Sequence, residues 1–110
     1  MQVTMQTEAG AMWAEDEAVF ARAVDESRSG CDRIVALRGD LAAGTGTAER
    51  AGLVAELMLA LSMFELHGAT LRRLTDWYPD EGRVRRGAQE WNLLQLRVES
   101  RSTRLDVAHV

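Results

Sequence analysis

Leu53-Val54-Ala55-Glu56-Leu57-Met58-Leu59-Ala60-Leu61-Ser62-Met63-Phe64-Glu65-Leu66 sets apolar side chains on nearly every side of a helix. A helix that is apolar all round has to be covered from more than one direction. The stretch is shorter than the roughly 20 apolar residues of a bilayer span, and Glu56 and Glu65 interrupt it. The covering surface is therefore expected to be protein, with no membrane span. The segment sits within a helix expected over 48–77, with Val54, Leu57, Leu61, Phe64, Leu71 and Tyr78 on one face. Leu53, Ala60, His67 and Leu74 adjoin that face, and Met58, Leu59, Met63 and Leu66 broaden it.

The breaks on either side define two further helices. Upstream, Ala42-Ala43-Gly44-Thr45-Gly46-Thr47 releases the backbone at two glycines, and Thr47 is placed to cap the central helix with Glu49 in its first turn. A helix over 8–41 precedes it, with Trp13, Phe20, Ile34 and Leu41 on one seven-residue phase, Ser27 interrupting the phase, and Val24 and Cys31 alongside. Gly30 costs that helix roughly 1 kcal/mol relative to Ala, which marks either a kink or a close helix crossing near Ser29-Gly30. Downstream, Pro79 ends the central helix and pushes Tyr78 out of helical geometry. Asp80 is placed to cap a third helix over 81–105, in which Val84, Trp91, Val98 and Leu105 lie seven apart, with Ala88 and Leu94 near the same face. The fold class is all-α: a long antiparallel hairpin plus a third helix, one domain over 1–110, expected to associate as a dimer.

Charge and composition narrow the chemistry. The net charge of −4 argues against general affinity for nucleic acid or anionic membranes, but it is unevenly spread. Residues 1–30 carry net −4, 31–82 net −3, and 83–110 net +3. The third helix therefore offers Arg97, Arg101 and Arg104 as candidate phosphate contacts, or as partners for the acidic first helix. Nucleic-acid binding or regulation through this helix is the alternative function. All 13 basic residues are Arg, the bias of a GC-rich, actinobacterial-type genome, so no lysine Schiff base or P-loop lysine exists.

No catalytic constellation converges. Cys31 stands alone, and no Cys/His spacing suits zinc. Asp32 beside it raises the thiol pKa while Arg28 and Arg33 oppose that rise, so Cys31 reads as a small buried hydrophobe. Glu15-Asp16-Glu17 and Asp80-Glu81 read as a solvated helix start and a cap. His67 is expected to be a partly buried, hydrogen-bonded histidine rather than a phosphotransfer residue, although Arg72 stands near it. No enzyme, cofactor, metal or small-molecule substrate is expected. Met1 to Glu8 has neither a basic start nor an apolar core, which points to the cytoplasm.

At the hairpin loop, Leu37-Arg38-Gly39-Asp40-Leu41-Ala42-Ala43-Gly44-Thr45-Gly46-Thr47-Ala48, the chain resembles the small WXG proteins of type VII (ESX) secretion. The resemblance covers Met1 to Tyr78 and implies a four-helix homo- or heterodimer that leaves the cell folded, without a cleaved signal peptide. The Trp-Xaa-Gly turn of that family would fall on Leu41-Ala42-Ala43, so both signature residues differ. Its export signal, Tyr followed four residues later by an acid, would begin at Tyr78 and meets Gly82, while Trp77 to Glu81 has the spacing with another aromatic. The expected function is a non-enzymatic protein-protein interaction module with a homodimeric or helical partner. Its interface is assigned to Leu57, Met58, Leu61, Met63, Phe64 and Leu66.

Overall fold

The computed structural model describes the backbone of residues 12–44 and 46–108, and the side chains of these as far as Ser100. Three helices make up the described chain: α1 Ala14–Ala42, α2 Thr47–Trp77 and α3 Gly82–Ala108. Each packs on both of the others, in a rod of 65 × 24 × 15 Å. The all-α bundle expected from the apolar periodicities is what the chain forms.

The links follow from local chemistry. Gly44 takes φ +83°, a left-handed backbone that costs glycine nothing and a β-carbon-bearing residue a good deal. The amide of Ala43 donates to Gly39 O at 3.0 Å and that of Gly44 to Leu41 O at 3.3 Å, closing the end of α1. Thr47 does not cap α2: Gly46 is the capping residue, with no side-chain bond. At the other link, Tyr78 leaves the helix at φ −129° ahead of Pro79. Glu81, not Asp80, serves the start of α3. Its carbonyl accepts from Val84 at 3.2 Å, and its carboxylate takes the Arg83 guanidinium at 3.2 Å.

Helix α1 begins later than the apolar phase suggests. The expected residues 8–11 lie outside the described residues, and Trp13 is extended, at φ −74° and ψ 153°. Its carbonyl accepts the Glu17 amide at 2.9 Å, and Glu15, Asp16 and Glu17 crowd the helix start, where the macrodipole favours negative charge. As a result Trp13 points to solvent at 63 % exposure, and Met12 is buried in its place against Leu74, Tyr78 and Val84. The other stripes behave as their spacing predicts: Ile34, Phe64, Leu71, Val84, Trp91 and Val98 are all buried. Val54 is the exception on α2 and is exposed, while the Leu105 side chain lies outside the described residues.

Trp91 of α3 is the centre of the packing. Its indole stacks on Phe64 with ring centroids 4.9 Å apart and planes 21° apart, and its Nε1 donates to Phe64 O at 2.9 Å. The Arg72 guanidinium lies over the outer face, 5.2 Å from the ring centroid. The ring rests on Gly68, where an added β-carbon would stand 2.3 Å from it. A second glycine seat lies across the bundle, where Phe20 of α1 covers Gly87 of α3 and would meet a β-carbon at 2.6 Å. Gly30 produces no break in α1; it faces Phe64, which a β-carbon there would meet at 3.9 Å. Ser27, buried in α1, donates to Ala23 O at 2.6 Å and so leaves no orphan hydroxyl.

These seats give a direct test. Gly68→Ala is expected to destabilise the bundle by about 1–3 kcal/mol through overpacking against the indole. Gly39→Ala, where nothing lies within 4 Å, gains up to about 1 kcal/mol from helix propensity. Urea unfolding followed by circular dichroism reads both changes; equal midpoints for the two variants would contradict the glycine seat.

Candidate functional site

Covering α2 on one side by α3 leaves a shallow groove along its seam with α1, and three adjoining depressions run end to end in it. The first is lined by Leu59, Ala60 and Met63 of α2 with Gly30 and Arg33 of α1. The second, which shares Glu26 and His67 with the first, adds Leu66, Thr70, Val19 and Arg22. The third, sharing Val19 and Thr70 with the second, ends at Asp16, Arg73 and Trp77. The α2 wall of this groove is apolar and wet: Leu59 is 65 % exposed, Met63 41 %, Leu66 53 % and Trp77 58 %. With Thr70 and Arg73 between Leu66 and Trp77, these positions follow one another at intervals of three and four residues, the spacing of one face of a helix that meets another helix.

The central segment expected to form the interface therefore divides into two faces. Phe64 is buried in the core, and Leu57 and Leu61 are packed against that core. Met63 and Leu66 line the groove. Met58 is exposed as well but lines none of the three depressions. The sequence does not by itself separate these two faces, and it does not point to Val19, Thr70 or Trp77 at the interface, Trp77 entering only through the export spacing. The usable signal was a second three-and-four spacing, through Leu59, Met63, Leu66, Thr70, Arg73 and Trp77, running parallel to the core phase.

Ionic contacts tie the helices together within one chain. Arg28 of α1 forms a two-point pair with Glu90 of α3, one arm at 2.8 Å, and this holds the Glu90 carboxyl below its ordinary pKa. Arg97, a candidate phosphate contact, instead reaches Asp32 at 3.0 Å, and Arg83 reaches Glu17 at 3.5 Å. The side chains of Arg101 and Arg104 lie outside the described residues. The Tyr78 hydroxyl donates to the Asp16 carboxylate, which pushes the phenol pKa up. Each exposed pair contributes about 0–1 kcal/mol, so these contacts orient α3 on α1 more than they hold it.

On the groove floor, His67 Nε2 stands 3.0 Å from Glu26 and its side chain is mostly buried. Among the described residues, no group of three or more His, Cys, Asp or Glu side chains is placed to hold a metal ion. By length and composition α2 is long and apolar enough to cross a membrane; 17 % of its most apolar eighteen-residue window is buried in the bundle.

Compared with models of protein families, with curated proteins and with solved structures, the chain matches none.

Cys31 is fully buried, with its Sγ 3.8 Å from Leu94 O. Burial is the main cause of its raised pKa, with Asp32 adding to the rise and Arg97 opposing it. The folded thiol thus keeps its proton where the unfolded one has lost it. This contribution to stability is complete below the ordinary thiol value and fades as pH climbs past it. A thiol-specific reagent at neutral pH is expected to leave the native protein unlabelled and to modify it fully in denaturant. Rapid labelling of the native protein would show the site to be open.

Proposed function

We propose that this chain is a non-enzymatic helical interaction module that receives another protein helix on the groove between α1 and α2. One observation carries the reading: Leu59, Met63 and Leu66 form an exposed apolar wall at helical spacing, and Trp77 stands exposed at its far end beyond Thr70 and Arg73. Soluble monomers seldom leave such contiguous patches to water, and a flexible Met63 suits an adaptable helix contact. Protein is favoured over lipid as the occupant because Glu56 and Arg33 pair at 2.8 Å beside the wall and Glu26 lies in the groove. Charges at the centre of a bilayer helix cost about 2.5–3.5 kcal/mol each.

The likeness to the small WXG proteins makes a secretion-associated dimer the more specific form of this proposal. The antiparallel α1–α2 hairpin supports it, since a second hairpin laid on the groove would complete a four-helix bundle. The alternative, nucleic-acid contact through α3, has less in its favour because Arg97 is already engaged by Asp32.

A photo-crosslinking residue tests the reading when it replaces Leu66 and, in a control, Asn92 on the exposed side of α3. Irradiation in the native host is expected to give a discrete adduct from position 66, to a second copy or to another protein, and none from position 92. The adduct is expected to vanish when Leu59→Glu is added. No adduct at position 66, or equal adducts at both positions, would refute the proposal.

A further inference from the structure

The groove-lining stripe of α2, from Glu56 to Trp77, continues at the same spacing to Gly52 and reads the same in both directions. Its positions are Gly52, Glu56, Leu59, Met63, Leu66, Thr70, Arg73 and Trp77, at intervals of four, three, four, three, four, three and four residues. A two-fold axis passing between Phe64 and Glu65 maps this set onto itself. Met63 then meets Leu66 of the other copy, Leu59 meets Thr70, Glu56 meets Arg73, and Gly52 meets Trp77. Three of the four matches are complementary, apolar on apolar at the centre, acid on base further out and the largest side chain on the smallest at the ends, and the fourth sets Leu59 on the methyl-bearing Thr70.

We propose that the occupant of the groove is a second copy of this chain, docked with the two α2 helices antiparallel in this register. The inference rests on the interaction reading above and names its partner. A two-fold interface presents the same patch from both sides, so a self-complementary patch is what it demands. Alternating intervals of three and four suit side-by-side helices at a shallow angle. From Gly52 to Trp77 the stripe runs roughly 38 Å at 1.5 Å per residue, over half of the 65 Å rod. All of its positions are exposed except Thr70, which is half-buried. Arg73 makes no ion pair with another described residue. Glu56 already holds Arg33 at 2.8 Å, and a carboxylate has acceptor sites enough for a second guanidinium.

The charged pair allows a test by exchange. In sedimentation equilibrium the wild-type chain is expected to run at twice its 12.2 kDa mass. Glu56→Arg alone sets two like-charged pairs in a homodimer, as does Arg73→Glu alone, and each should weaken association by about tenfold or more. An equimolar mixture of the two variants restores opposite charge at both contacts and should regain the wild-type dimer. Circular dichroism on each variant establishes that the helices are intact. A wild-type chain that stays single at millimolar concentration overturns the proposal, as does a mixture no tighter than either variant alone. If the Leu66 photo-adduct then has a mass other than two copies, the interaction reading survives and the self-pairing does not. No adduct at all removes both.

Discussion

The indole of Trp91 lying directly on the backbone at Gly68 is the contact on which the bundle depends. Because Gly68 has no β-carbon, α3 comes close enough for the ring to stack on Phe64 and for its N–H to reach the Phe64 carbonyl. One side chain thereby fixes the distance, rotation and register of α3 against α2. Burial of so large an aromatic, with its polar atom satisfied, is among the strongest contributions a core this size has available. The Arg72 guanidinium closes the outer face, so the ring is bounded by aromatic carbon, backbone and cation.

The position of α3 then determines what α2 still has to offer. Phe20 on Gly87 and the Arg28–Glu90 pair draw α3 onto α1 as well as α2, so α3 fills one of the two seams of the hairpin. The other seam is left as a shallow groove from Glu56 to Trp77, crossed by the Arg33–Glu56 and Glu26–His67 contacts. Most of the exposed apolar residues of α2 therefore have a location, the groove positions Leu59, Met63, Leu66 and Trp77, with Val54 and Met58 exposed outside it.

Much of this was legible from the residues because periodicity and punctuation act locally. The glycines after Leu41 and the proline after Tyr78 end helices by backbone chemistry, and Val84, Trp91 and Val98 have a phase only a buried face explains. What was not legible depends on which helix lies beside which. Leu57, Leu61 and Phe64 belong to the core, and Met63 and Leu66 to the groove, yet all five have similar side chains within one short run. Trp13 misled for a related reason: its phase is right, but the chain is extended there and Met12 takes the buried place. Gly68 and Gly87 gave no warning as seats, because a glycine inside a helix reads as a weakness until the ring above it is known.

The three tryptophans are divided between these regions in a useful way. Trp91 is enclosed, Trp13 stands in solvent at the start of α1, and Trp77 closes the far end of the groove. Intrinsic fluorescence therefore carries two separable signals. The blue-shifted emission follows the integrity of the core, and the red-shifted remainder holds a reporter at the margin of the open seam. The molecule carries its own optical gauge of whether that seam is filled.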